Sequence, residues 1–198
     1  MNALSRMEQR LRPASCLRRG NVCLLNTVLD GKNLIFFPVS AGHAYDIHNG
    51  YTDEIARFLY AQPCETLAKT QERIKHARSL MFEKKRSTFA AYKPNNVFVG
   101  CVDLRHENLH PRPVFWVCKE QQRKGYGTEI LNAILAYGRK HLTTDFLQLK
   151  VSKDDIASIA LLKKAGAKET GARFVDVTNE LGITGTLLLF RLLNKVTQ

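Results

Sequence analysis

Gln122-Arg123-Lys124-Gly125-Tyr126-Gly127 decides how this chain is read. A short apolar run, Val114-Phe115-Trp116-Val117-Cys118-Lys119, leads into it. A periodic stretch leaves it, with Ile130, Leu131, Ile134, Leu135 and Tyr137 forming one broad apolar face. The implied order is strand, glycine loop, helix. The first amides of a helix lack intrahelical partners, and the macrodipole adds partial positive charge at that end. A pyrophosphate set there can accept several amide hydrogen bonds at once. Gly125 and Gly127 remove side chains that would hold it away from the backbone. Arg123 and Lys124 add charge beside it, and Gln122 can brace the turn through its side-chain amide.

The bare pattern Gln/Arg-x-x-Gly-x-Gly/Ala is weak, since roughly one random chain in five of this length would contain it. A glycine pair ending a strand also suits an ordinary tight turn. Context carries the assignment: apolar strand, two adjacent bases, long amphipathic helix. A Walker loop is excluded because no Gly-Lys-Ser/Thr follows at the required spacing. A dinucleotide fingerprint would need its third glycine where Ile130 stands.

Working outward, Phe146–Val151 reads as a buried strand, and Asp154 or Asp155 can cap a further helix that Gly166 stops. Lys168–Val175 and Thr184–Leu193 read as two last strands. Upstream, Val22–Leu29 and Asn33–Val39 flank Asp30-Gly31, a hairpin signal. Helical spacing follows Ser40 and continues at Ile55, Phe58 and Leu59. Thr66 opens a second helical stretch with Leu67, Ile74, Ala77, Leu80 and Met81 apolar. Ser87–Tyr92 and Val97–Leu104 form another expected hairpin across Lys93-Pro94-Asn95-Asn96. The fold class is α/β, a mixed and mostly antiparallel sheet with a parallel pair at its centre and flanking helices. No linker or repeat divides the chain. The expected organisation is a basic arm over residues 1–20 and one domain over 21–198.

The 198 residues carry 30 Lys+Arg against 18 Asp+Glu, a formal +12. Such an excess attracts anions: nucleic acid, a membrane face, a phosphorylated cofactor or an acidic substrate. Much of it can equally be solvated surface. The arm holds Arg6, Arg10, Arg12, Arg18 and Arg19. It fits a mitochondrial-type address, a polyanion-binding arm or, by default, a loose terminus. Five cysteines (Cys16, Cys23, Cys64, Cys101, Cys118) are an odd count without a CxxC pair, so neither a disulfide framework nor a zinc site is expected. Reduced thiols in the cytoplasm are the expectation. The apolar runs are too short to span a bilayer, and no secretory signal core precedes them.

Three stretches together resemble the GNAT superfamily of N-acetyltransferases, in its ribosomal-protein N-terminal acetyltransferase branch. They are Val99-Gly100-Cys101-Val102-Asp103-Leu104, the segment Phe115 to Glu129, and Asp155-Ile156-Ala157-Ser158-Ile159-Ala160-Leu161-Leu162-Lys163-Lys164-Ala165-Gly166. The resemblance spans roughly residues 33–193. It implies acetyl-coenzyme A as co-substrate, no metal, and a pyrophosphate on Gln122, Arg123, Lys124, Gly125, Tyr126, Gly127 and Thr128. Pantetheine would lie between splayed fourth and fifth strands, on backbone groups near Val117 and Lys119.

The resemblance also defines departures. The family's helix-opening asparagine is Asp155 here, which can accept a hydrogen bond but not donate one. The usual tyrosine acid is replaced by Leu162. Ser158 stands where the resembled branch often has a serine, and it is the candidate acid toward the sulfur, weighed against a simple helix-terminus role. An amide near Val117 or Cys118 would polarise the carbonyl. The glutamate of some relatives is Arg112, which, facing the cleft, would suit an acidic or phosphorylated acceptor. Asp103, Glu107, His106 and His110 are the remaining candidate bases. Cys118 as nucleophile is outweighed by its reading as a small buried hydrophobe.

The leading expectation is acetyl transfer to an amine (protein N-terminus, lysine or small molecule) by a monomer or homodimer. The alternative is a catalytically weak coenzyme A-binding module that docks on RNA or a ribosome through its basic surface.

Overall fold

The computed structural model describes residues 27–59, 61–106, 110–142, 144–178, 182 and 184–194. The arm, Cys16, Cys23, Glu107 and most of the first expected strand lie outside the described residues.

Strand β1 (Leu29–Asp30) turns through Gly31, whose amide donates to the Leu34 carbonyl at 2.8 Å, into β2 (Ile35–Pro38). The helical spacing after Ser40 is realised in pieces. A 3-10 turn (Ala41–His43) leads into α1 (Ala44–Gly50), and Thr52 separates that from α2 (Asp53–Ala56). Helix α3 (Leu67–Phe82) starts where Thr66 Oγ1 accepts from the Lys69 amide at 3.2 Å. Its buried face is Thr70, Ile74, Ala77 and Met81, one residue per turn, whereas Leu67 is exposed. Strands β3 (Arg86–Tyr92) and β4 (Phe98–Arg105) pair antiparallel, as do β4 and β5 (Arg112–Val117). Helix α4 (Tyr126–His141) buries Ile130, Leu131, Ile134, Leu135 and Tyr137. Then come β6 (Phe146–Ser152), α5 (Ile156–Lys164), β7 (Lys168–Thr178) and β8 (Thr184–Leu193).

The strands make two antiparallel sheets, β1-β2-β3-β4-β5 and β6-β8-β7. The expected parallel pair, β5 and β6, stands side by side without forming a ladder. A bond from the Gln148 amide to the Pro111 carbonyl, 3.0 Å, joins them where both begin. Beyond it they diverge, and a cavity opens between them.

Strand alternation sorts the first sheet into two faces. Phe89, Ala91, Val102, Leu104, Phe115 and Val117 pack with α4 into the main core, which continues through Leu147, Leu149, Leu162 and Phe190. Ala90, Tyr92, Cys101 and Trp116 face the opposite way with Ile35 and Phe37. Val39, Ala44, Ile74, Ala77 and Met81 seat α1 and α3 over that side. Helix α4 is also tied to the first hairpin: the Glu129 carboxylate accepts from the amides of Asn33 (2.5 Å) and Leu34 (2.8 Å). An acid in a first helical turn is favoured by the dipole, and here it also anchors a neighbouring turn.

Candidate functional site

The loop between β5 and α4 has the geometry of an anion cradle. Gly125 caps α4 with φ +84°, a left-handed conformation, and no side chain fills the cap. Arg123 is left-handed too, at φ +62°. Consecutive turns of this kind direct successive amides toward one point. Among the described residues, the amides of Arg123, Lys124, Gly125, Tyr126 and Gly127 make no hydrogen bond within the chain. A Cβ built on Gly125 would meet nothing within 4 Å, so the loop's outer side is open. At Gly127 a Cβ would come 2.8 Å from Leu161 Cδ1, so there glycine serves the approach of α5. The cradle fits a diphosphate.

Gln122 braces this loop through Nε2, which donates to the Val117 carbonyl at 3.0 Å. Lys124 Nζ folds back on the Glu120 carbonyl at 2.5 Å, and Lys119 Nζ pairs with Glu54 of α2. The end of β5 also settles which amide faces the gap. Cys118 donates its amide to the Val99 carbonyl at 2.8 Å, toward β4. Alternation then turns the Val117 amide the other way, toward β6.

The gap between β5 and β6 forms a cavity of about 260 Å³. Arg112 to Phe115, Leu149 to Val151, and Asp155, Ser158 and Leu162 of α5 line it. The structure therefore brings Asp155 and Ser158 together with the strand pair, while residues 119–128 stand at the end of β5. Asp155 caps α5: Oδ1 accepts from the Ser158 amide at 3.0 Å. Oδ2 accepts from the Ser158 hydroxyl at 2.6 Å. Aspartate and asparagine are comparable caps, which gives this departure from the family pattern a structural reason.

The candidate bases are dispersed. His106 Nδ1 meets the Lys84 carbonyl at 2.7 Å and Nε2 meets Ser87 Oγ at 3.1 Å, at the start of β3. His110 stacks on Phe146, with ring centroids 4.5 Å apart, below the gap. Asp103 lies on the far face of the sheet. Its Oδ1 accepts from Arg86 Nε and, at 2.9 Å, from Thr88 Oγ1; its Oδ2 accepts from Arg86 Nη2 at 2.5 Å and Arg105 Nε at 3.2 Å. Burial, with Glu120 nearby, pushes the Cys118 thiol up to about 12, which keeps it protonated at neutral pH.

A second cavity, about 150 Å³, lies on that far face. Tyr51, Thr70, Arg73, Arg86, Asp103 and Trp116 contribute to its wall. Tyr51 and Trp116 pack at 5.0 Å between centroids. Leu59, Arg105 and Val114 line both cavities, so the two chambers share a wall beside β5. Sequence reasoning missed this chamber. Its residues come from α1, α3, β3, β4 and β5, and only the strand register aligns them. Among the described residues no cluster of His, Cys, Asp and Glu could hold a metal, and no helix is long and apolar enough to cross a membrane.

A comparison with curated proteins by sequence returns no match. Solved structures share the fold. A spermidine N-acetyltransferase from Vibrio cholerae, in complex with CoA and spermine, superposes with TM-score 0.72 at 19% identity, over 82% of this chain and 96% of that one. An acetyl transferase from Salmonella typhimurium that modifies the N-terminal serine of 50S ribosomal protein L7/L12 gives 0.74 at 12%, over 84% and 99%. The ribosomal L7/L12 alpha-N-protein acetyltransferase RimL, in complex with coenzyme A, gives 0.74 at 12%, over 84% and 98%. Residues 33–168, which hold the loop, strands β2 to β6 and α5, match the acetyltransferase (GNAT) domain model, and the chain belongs to that family of acyltransferases.

Proposed function

We propose that the chain transfers the acetyl group of acetyl-coenzyme A directly to a primary amine within a ternary complex. The observation that carries this reading is the row of unbonded amides from Arg123 to Gly127, opening beside a gap between β5 and β6 that adjoins a second chamber. In this reading Gln122 through Thr128 hold the pyrophosphate, and Val117 and Lys119 meet the pantetheine through their backbone. The Val117 amide donates to the thioester oxygen, where charge develops as the amine attacks. The C–N bond forms, the C–S bond breaks, and the sulfur leaves as a thiolate that takes up the proton the nitrogen gives away. The acceptor reaches the carbonyl from the far face of the sheet. The spermidine and ribosomal-protein enzymes named above make a small amine and a protein N-terminus the two acceptor types to test first.

Ser158 is the proposed hydrogen-bond donor to the departing sulfur. Its single hydroxyl proton is given to Asp155 in the free chain, so serving the sulfur requires that bond to be shared or broken. Ser158→Ala is expected to lower kcat by about tenfold, within the usual range for a lost donor. Coenzyme A affinity, read by calorimetry, should change less than twofold (about 0.4 kcal/mol). Equal losses in both would demote Ser158 to a binding or packing role. Asp155→Asn keeps the cap and removes a carboxylate from the neighbourhood of an anionic co-substrate. Its expected outcome is an unchanged melting temperature with tighter coenzyme A binding; weaker binding would mean that Asp155 contacts the co-substrate favourably.

The decisive experiment is calorimetry with acetyl-coenzyme A, followed by thiol release with peptides and polyamines. A second reading, a coenzyme A-binding module docked on RNA, draws on the buried Leu162 at the family's tyrosine position and on the +12 charge. Salt-steep RNA affinity without turnover would favour it.

A further inference from the structure

The register of the first sheet sets Arg86, Arg105 and Arg112 opposite one another on three adjacent strands. Like charges directly opposite in a sheet are destabilising unless a counter-charge lies among them. The next row along holds Thr88, Asp103 and Val114. Asp103 lies between the guanidiniums of Arg86 and Arg105 and accepts four donor contacts, from Arg86 twice, Thr88 and Arg105. A carboxylate offers about four lone-pair sites, and here all are taken. Asp103 is thus closed both as a proton acceptor and as an anchor for a cationic substrate.

The Arg105 guanidinium is not closed in the same way. Arg105 engages Asp103 through Nε alone, and among the described residues its two terminal nitrogens have no partner. Arg73, exposed on α3, gives Nη1 to the Gln62 carbonyl at 2.6 Å and forms no ion pair among the described residues. Both line the second chamber, and Arg105 also lines the gap between β5 and β6. Asp103 already demonstrates the chemistry that these forks accept. Planar guanidinium against planar carboxylate is the geometry they favour.

We propose that the second chamber selects amines that carry a carboxylate a few bonds from the reacting nitrogen, with Arg105 reading that carboxylate and Arg73 supporting it. This rests on the acetyl-transfer reading and narrows its acceptor. The shared chemistry, an amine with a nearby carboxylate, occurs in free acidic amino acids and in peptides with an acidic residue at their N-terminal end. A polyamine offers the chamber the wrong charge.

The test is a matched acceptor series, scored by thiol release as kcat/KM. One arm pairs free aspartate and glutamate with asparaginamide and glutaminamide, which keep the amine and lose both carboxylates. A second pairs C-terminally amidated peptides starting with Asp against those starting with Asn. Spermidine forms the third. In the wild-type chain the carboxylate member of a pair should exceed its amide by about tenfold to 100-fold, the range of a charged hydrogen bond. In Arg105→Gln that ratio should fall to near one, and in Arg73→Gln it should fall partway. Melting temperatures show whether either variant folds. The arm with the larger ratio identifies the source of the carboxylate. A wild-type ratio near one, a preference for spermidine, or a ratio that survives in both folded variants overturns the proposal. Equilibrium binding of the same pairs to the coenzyme A-loaded chain gives the ratio without turnover. Binding selectivity with no thiol release would leave charge selection standing and remove the transfer reading; no selectivity there would remove charge selection.

Discussion

Gly125→Glu is expected to abolish coenzyme A binding, by at least about 100-fold, or 2.7 kcal/mol. The residue caps α4 in a left-handed conformation, with open space where a side chain would start. A glutamate there sends its carboxylate across the amides of the cradle and repels the diphosphate they would hold. The fold should survive. Left-handed backbone at a residue other than glycine costs about 1–2 kcal/mol. For a domain of this size that is roughly 2–8 °C in Tm. Calorimetry with coenzyme A beside a thermal melt separates the two effects. Unchanged affinity in the folded variant would move the phosphate site elsewhere.

Asp103→Asn should produce the largest loss of stability. The Asp103 side chain is 11% exposed, and the carboxylate neutralises Arg86 and Arg105 inside the arginine row. Removing one partner of a buried charge network costs about 3–5 kcal/mol, because the opposing charges stay behind unpaired. At this chain length the melting temperature should fall by roughly 6–20 °C. The double variant Asp103→Leu/Arg86→Met should recover part of that loss, since it removes the buried carboxylate together with one of the two half-buried arginines it neutralises. A single variant that melts like the wild-type chain would mean that water already screens the row. The row could then neither strain the sheet nor discriminate acceptors strongly.

Local chemistry explains what was legible before the structure. The α4 face is one periodic stripe, and all five residues assigned to it are buried. Asp155 and Thr66 cap their helices because a cap needs only the next three residues to be understood. Gln122 bracing Val117 is likewise a contact five residues apart. Non-local features escaped. Helical spacing past Ser40 read as continuous, but the chain breaks at Tyr51 and Thr52, where tertiary packing overrides propensity. The separation of β5 from β6 into different sheets is set by what each pairs with on its other edge. Arg112 stood out in the sequence, but its alignment with Arg86 and Arg105 appears only once two strand registers are known. Of the candidate donors near the carbonyl, Val117 and Cys118 could be separated only by seeing that Cys118 bonds to Val99.

The slot left where β5 and β6 part company runs between the edges of two sheets, so main-chain peptide groups border it along both strands. A binding surface made of main chain is copied whenever the backbone is copied, whatever residues decorate it. Substitution drifts across such a surface without erasing it. Solved structures that agree with this chain at only 12–19% of positions share its fold, as a form defined by main chain allows.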